Sequence, residues 1–248
     1  MAYQSVFKRY ELKYLLTNAQ KEAVMAAMEA HMVPDKYGRT TIRNIYFDTK
    51  NYRLIRRSIE KPSYKEKLRL RSYGCPESNS PVYVELKKKF EDVVYKRRTG
   101  LPLDQALDWV CNRTVRDDPS QIIREIDYFM DFYGDLQPTM FLCYDRVAYY
   151  AVDGSDFRIT FDTDILCRRE DIRLDGPIQG TPILPPGLTL MEIKSPGGMP
   201  LWLAHTLTEN KIYKTSFSKY GTAYQTLILT KQEVSPPWKC LKAYSIRS

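Results

Sequence analysis

In Tyr64-Lys65-Glu66-Lys67-Leu68-Arg69-Leu70-Arg71-Ser72-Tyr73, basic residues recur at every second position from Lys65 to Arg71, with leucines between them at 68 and 70. In an extended strand, residues two apart share a face. Lys65, Lys67, Arg69 and Arg71 therefore line one face, and Leu68 and Leu70 the other. Val84 to Lys89 repeats the pattern, with Glu85, Lys87 and Lys89 opposite Val84, Leu86 and Lys88. Gly74, Pro76, Asn79 and Pro81 between the two runs read as a turn.

Four further segments carry the same signature. Lys96 and Arg98 share a face, as do Arg9, Glu11 and Lys13 opposite Tyr10, Leu12 and Tyr14. Arg158, Thr160 and Asp162 stand against Ile159 and Phe161, and Glu192 and Lys194 against Met191 and Ile193. Any one such strand fits the water-facing side of an open sandwich. Six of them, with few neutral polar residues between the charges, fit a closed sheet whose charged faces line a wet interior. Like charges gathered around one axis repel unless an anion or interleaved carboxylates compensate them. That interior is then an anion site.

The remaining elements suit this architecture. Val6–Leu16 and Thr41–Asp48 read as strands, and Thr17 with Gln20 forms a capping box opening a helix to about Met32. Asn51–Ile59 reads as a short helix. Val93–Thr99 is a strand after a Glu91-Asp92 turn. Pro102–Cys111 and Pro119–Tyr133 read as helices. Thr139–Val152 and Phe157–Phe161 are strands joined at Asp153-Gly154. Residues 168–186 read as loop, Thr189–Lys194 as a strand, and Leu201–Asn210 and Ser216–Thr230 as helices. About eight strands, mostly antiparallel neighbours, give an α+β fold: a closed antiparallel eight-stranded β-barrel tunnel with helices packed outside. No linker separates the strand groups, so residues 1–234 form one domain, with 235–248 a C-terminal tail.

Composition is consistent with this. The chain has 248 residues, 43% of them hydrophobic, and a formal net charge of +8, which calls for an anionic partner. The five cysteines have neither C-x-x-C nor Cys/His zinc spacing, so reduced thiols and a cytosolic setting are expected. No run of eighteen apolar residues suggests a membrane span, and the N-terminus lacks an apolar signal core. His31 and His205, the two histidines, fall on helices away from the charged strands. Met25, Met28 and Met32 read as core packing. Lys88 faces outward, so Lys87-Lys88-Lys89 is not a nucleic-acid patch.

The carboxylates among the charged faces are Glu11, Glu85, Asp162 and Glu192, hard oxygen ligands suited to Mg²⁺ or Mn²⁺ or, equally, salt-bridge partners. Tyr10, Tyr14, Tyr83 and Tyr95 are read as alternating with the charges. That placement favours core tyrosines over the stacking platforms of a passive single-strand binder.

Nine motifs, in order, resemble the VTC family. They are E-L-K-Y (Glu11–Tyr14), I-Y-F-D-T (Ile45–Thr49), S-I-E-K-P-x-Y-K-x-K-L-R-L-R-S-Y-G (Ser58–Gly74), V-E-L-K-K (Val84–Lys88), Y-K-R-R (Tyr95–Arg98), Y-D-R (Tyr144–Arg146), R-I-T-F-D-T-D-I (Arg158–Ile165), M-E-I-K (Met191–Lys194) and F-S-K-Y (Phe217–Tyr220). The family comprises polyphosphate polymerase domains of the triphosphate tunnel metalloenzyme superfamily, and the resemblance spans about Phe7 to Thr230. It implies a catalytic tunnel that moves the γ-phosphate of ATP onto a growing polyphosphate, with Mn²⁺ or Mg²⁺. It places the phosphate-handling catalytic positions on Lys13, Arg69, Arg71, Lys87, Lys96, Arg146, Arg158 and Lys219, and the metal ligand on Glu192. Glu11, Lys67, Glu85, Arg98, Lys194, Lys214 and Ser218 are assigned to substrate binding. Where some members carry a further lysine, this chain has Ser216, with Lys214 a candidate substitute. The superfamily also holds triphosphatases and cyclases, so hydrolysis in the same tunnel and a non-catalytic polyanion-binding module are the alternatives. Family members are often linked to membrane proteins. That implies a cytoplasmic protein, associated with a membrane through a partner, that takes ATP and polyphosphate or triphosphate and no nucleic acid.

Overall fold

The structure, a computed structural model, describes residues 10–91, 93–114 and 120–230. Val6, Phe7, Arg9, Asp92, Pro119 and the 235–248 tail, each named above, lie outside the described residues.

One antiparallel sheet organises the molecule. Its main path runs through eight strands: β1 (Tyr10–Leu16), β10 (Thr189–Ser195), β8 (Arg158–Arg168), β7 (Leu136–Ala151), β3 (Thr40–Thr49), β4 (Tyr64–Tyr73), β5 (Pro81–Phe90) and β6 (Val93–Pro102). Two short strands lie off this path: β2 (Met32–Pro34) pairs with β7, and β9 (Thr181–Pro182) with β8. The alternation on β4 and β5 survives intact, because Lys67 pairs with Lys87 and Arg69 with Glu85, and one face stays in register across the ladder.

The sheet is strongly curled. β1 and β5 are six ladder steps apart, which in a flat sheet is about 29 Å. Yet Lys87 Nζ on β5 lies 3.1 Å from Glu11 Oε2 on β1. Curling has brought the two ends of the path face to face. The strand count, the antiparallel order and the outer helices are as expected. Closure differs in kind, since no β1–β6 ladder joins the edges among the described residues. Side chains span the gap instead.

Two helix pairs cover the convex face. α3 (Leu103–Asn112) and α4 (Gln121–Tyr133) pack on Leu68, Leu70, Val82, Val84 and Leu86. α4 offers Ile123, Ile126, Phe129 and Met130 at helical spacing, and Ser120 Oγ caps it by accepting from Ile123 N. α1 (Asn18–Met28) and α5 (Leu201–Glu209) cover β1, β8 and β10 through Val24, Met28, Leu203 and Leu207. The Thr17–Gln20 capping box is present, but α1 stops at Met28, and Met32 opens β2.

The third core lies on the concave side. α2 (Arg53–Ile59) follows β3, and α6 (Lys219–Tyr224), extended by a π-helical turn over Gln225–Leu229, lies against Tyr46, Met140, Leu142 and Tyr144. α1, α3, α4 and α5 lie outside as expected, and α6 packs on the concave side with its Lys219 among the charged residues. Asp48 ties α2 to α6. It is fully buried, accepts from Leu54 N and Ile55 N at the start of α2, and accepts from the Tyr220 hydroxyl of α6 at 3.0 Å.

The loop over residues 169–180 is organised by a buried guanidinium. Arg168 donates to the carbonyl oxygens of Asp171, Pro177 and Gln179. Gly180 is required where the loop returns, because a Cβ there would meet the Cys167 carbonyl oxygen at 2.4 Å.

Candidate functional site in the tunnel

The concave faces of the strands carry most of the charged residues singled out above. Two carboxylate-centred clusters organise them.

Glu85 is the centre of the first, and its side chain is 1% exposed. Arg69 reaches its Oε2 through Nε at 2.7 Å and Nη2 at 2.6 Å. Lys96 reaches Oε1 at 2.7 Å, and Arg98 Nε stands 3.6 Å from the same oxygen. Arg71 is steered by Asn44 Oδ1 at 3.0 Å and by the Tyr144 hydroxyl at 3.3 Å. Burial opposes ionisation of Glu85, but Arg69, Arg71 and Lys96 overcome it and hold the carboxyl well below the usual range.

The second cluster joins Asp162 and Glu192. Arg146 grips Asp162 with a two-pronged contact at 2.6 and 2.7 Å and reaches Glu192 Oε2 at 3.0 Å. Lys219, from the first turn of α6, lies 2.6 Å from Asp162 Oδ2 and 2.8 Å from Glu192 Oε1. Burial disfavours the Lys219 charge, yet these two carboxylates push its pKa above the ordinary lysine value. Lys219, Arg146 and Lys13 likewise keep Glu192 ionised against burial.

Between the clusters, Lys87 holds Glu11 ionised against burial and the like charge of Glu192. Lys13 lies 3.4 Å from Glu11 and donates to the Phe217 carbonyl at 2.9 Å. Lys67 Nζ meets Ser218 Oγ at 3.0 Å, and that same oxygen caps α6 by accepting from Gly221 N. Burial, with Lys13 and Lys87 nearby, lowers Lys67 to about 7. Burial likewise lowers Lys96 to about 7, despite Glu85, and Lys194 to about 8. Basic side chains outnumber the four carboxylates. Arg98 Nε, Arg158 Nε and Thr160 Oγ1 are buried with no hydrogen-bond partner. Unpartnered buried donors in a cationic interior are suited to a polyanionic ligand.

Placement departs from the sequence reading at three positions. Lys214 is exposed and enters neither cluster; its backbone bridges to Tyr14. Arg158 pairs with Asp156 at 3.1 Å, away from both clusters. Tyr83 belongs to the charged face, not the opposite one, since it shares the parity of Glu85 and pairs with Arg71. Tyr46 and Tyr144 also face the tunnel, where Arg69 lies 6.0 Å from the Tyr46 ring centroid and Lys219 4.6 Å from that of Tyr144. Asp48 and Tyr220 were not singled out, although I-Y-F-D-T and F-S-K-Y contain them. Their role is contact between α2 and α6, which strand periodicity does not report.

The sequence profile of the VTC domain matches residues 8–228. The chain belongs to the VTC domain family. No curated protein matches it by sequence. Solved structures place the VTC chain among tunnel folds at low identity. A candidate adenylate cyclase from Bacillus halodurans has a TM-score of 0.54 at 12% identity, covering 91% of this chain and 100% of that one. One from Vibrio parahaemolyticus gives 0.51 at 13%, covering 88% and 98%. A Hippeastrum protein, described as a candidate adenylyl cyclase with a dominant triphosphatase activity, gives 0.51 at 16%, covering 88% and 96%. These likenesses show a shared fold.

Proposed function

We propose that this VTC domain transfers the terminal phosphoryl group of ATP onto a growing polyphosphate chain inside the tunnel. The observation that carries the reading is the convergence of Arg69, Arg71, Lys96, Arg146 and Lys219 from separate elements on two buried carboxylate clusters, with cations in excess. Phosphoryl transfer needs positioning and charge neutralisation more than covalent chemistry. Arg69, Arg71 and Arg146 orient phosphates through forked contacts, while Lys13, Lys87, Lys96 and Lys219 neutralise the group in transit. Glu11, Lys67, Glu85, Arg98, Lys194 and Ser218 position the chain and its counter-charges. The attacking group is a terminal phosphate oxygen of the acceptor, already ionised at neutral pH, so no general base is needed.

The donor set fits a divalent cation that arrives with its phosphates. Among the described residues no group of three or more His, Cys, Asp or Glu side chains forms a protein cage for an ion. Mg²⁺-type ions need only one or two carboxylates when phosphate oxygens and water complete the shell. Glu192, kept ionised by its cationic neighbours, would hold such an ion, with Glu11 the neighbouring carboxylate. When bound, Mn²⁺ or Mg²⁺ would supply Lewis-acid withdrawal of charge from the phosphates.

The second reading is hydrolysis, with water replacing the phosphate acceptor; the activity described for the Hippeastrum neighbour favours it. Incubation with ATP and Mn²⁺, followed by gel analysis, separates the two. Long polyphosphate supports synthesis, and free phosphate without polymer rejects it. Among the described residues no helix is long and apolar enough to cross a membrane.

A further inference from the structure

Beyond the Glu85 cluster, towards the β4–β5 turn, the tunnel wall changes from carboxylates and cations to aromatic rings. Tyr83 pairs with Arg71 on one side and Gly100 on the other, two register positions on from the Arg69–Glu85–Arg98 row and on the same face. The Arg98 guanidinium lies 3.5 Å from the Tyr83 ring centroid and 5.5 Å from that of Tyr73. Tyr73 and Tyr83 meet edge to face at 5.7 Å. Gly100 leaves the room this takes, because a Cβ there would come within 3.3 Å of the Tyr83 ring. Tyr73 ends its strand and is 48% exposed, while Arg98 Nε is buried without a hydrogen-bond partner.

The two ends of β4 therefore differ. At one end Lys67 meets Ser218 at the start of α6, which packs on the concave side. At the other, six residues and about 20 Å along the strand, a half-exposed phenol and a delocalised cation stand at the mouth. Flat π-faces beside a guanidinium attract nucleobases of any sequence, because every base offers a face to stack. Inorganic polyphosphate can meet the guanidinium, but it has no group that could stack on the ring faces.

We propose that Tyr73, Tyr83 and Arg98 form a stacking site for the base of a nucleoside triphosphate. The base lies at the β4–β5 mouth, and the phosphates point inward past Arg71 and Arg69 towards Lys67 and Lys219. The proposal rests on the tunnel being a phosphate site and adds a subsite for the base and the direction in which the nucleotide enters. A purely structural role for the ring cluster would affect all ligands alike.

The test is equilibrium binding of ATP and of inorganic tripolyphosphate to the full-length wild-type protein and to Tyr73→Ala and Tyr73→Phe. Tyr73→Ala should weaken ATP about ten-fold and leave tripolyphosphate within about two-fold, and Tyr73→Phe should retain ATP affinity. Tripolyphosphate binding by Tyr73→Ala also reports that the variant is folded. Equal weakening of both ligands, or no change in either, overturns the stacking site while leaving the tunnel reading intact. Failure of the wild type to bind either ligand overturns both.

Discussion

Lys219 Nζ sits 2.8 Å from Glu192 Oε1, which ties the first turn of α6 to the strand carrying the candidate metal ligand. Because the same ammonium also serves Asp162, removing it leaves two carboxylates in the interior with Arg146 as their main counter-charge. Lys219→Met should lower stability by about 3 kcal/mol, the range for breaking a buried ion pair from one side. It should also reduce phosphoryl transfer about a hundred-fold. Glu192→Gln in the Lys219→Met background should restore part of the stability and none of the activity. Chemical denaturation of the four proteins of this cycle measures the coupling. Additive losses would show that the contact contributes nothing as a pair.

Glu85 presents the opposite imbalance, one carboxylate among several cations. Glu85→Gln should destabilise the ligand-free protein by about 3 kcal/mol, since Arg69 and Lys96 lose a buried counter-charge. A polyanion can replace that charge. The rise in melting temperature on adding tripolyphosphate should therefore be larger for Glu85→Gln than for wild type, by linkage. An equal or smaller rise would mean that the anion does not enter this cluster.

The strands of this tunnel are legible in the sequence because period-two alternation is a local property, and it is clear over Lys67–Arg71 of β4 and Val84–Lys87 of β5. Other features depend on contacts between distant segments. β7 and β8 shift register between Cys143 and Asp145, and Asp164 adopts a φ of 52°, so parity counted through that region fails. α6 (KYGTAY) is too short to show a helical stripe, and Lys219 is its one charged residue. Only its packing on Tyr46 and Tyr144 reveals that it lies on the concave side. Lys214 looked equivalent to a tunnel lysine by proximity in sequence, but the chain reaches α6 with that side chain exposed. Tyr83 was recoverable, because simple counting from Glu85 places it on the charged face.

Arg168 allows the scaffold to be separated from the site. Its guanidinium is buried on the convex side, and its hydrogen bonds end on backbone carbonyls of the 171–179 loop. Arg168→Leu should cost about 2 kcal/mol in stability and expose that loop to proteolysis. Affinity for tripolyphosphate in the folded fraction should not change, because no tunnel residue depends on the loop. Limited proteolysis and a binding isotherm check the two halves. A large affinity loss would mean that the loop reaches the tunnel.

Lys67 and Lys96 make the tunnel sensitive to pH near neutrality. Lys67 is lowered to about 7 by burial and by the surrounding charges of Lys13, Lys87, Lys65 and Arg69; Ser218 Oγ is its hydrogen-bond partner. Lys96 is lowered to about 7 by burial and by Arg69 and Arg71, with Glu85 acting in the other direction. In the unfolded chain both titrate near about 10.4. Between about pH 7 and 10 the unfolded state then binds more protons than the folded one, so stability of the ligand-free protein should rise with pH across that window. A bound polyanion reverses the local field and raises both pKa values. Binding at about pH 8 should therefore take up protons, and affinity should fall as pH rises from about 7 to 9. Calorimetry of tripolyphosphate binding in buffers of different ionisation enthalpy reads the uptake directly, and Lys67→Met should remove its share. A wild-type affinity independent of pH, with no buffer dependence of the heat, would mean that these lysines are already fully charged in the empty tunnel.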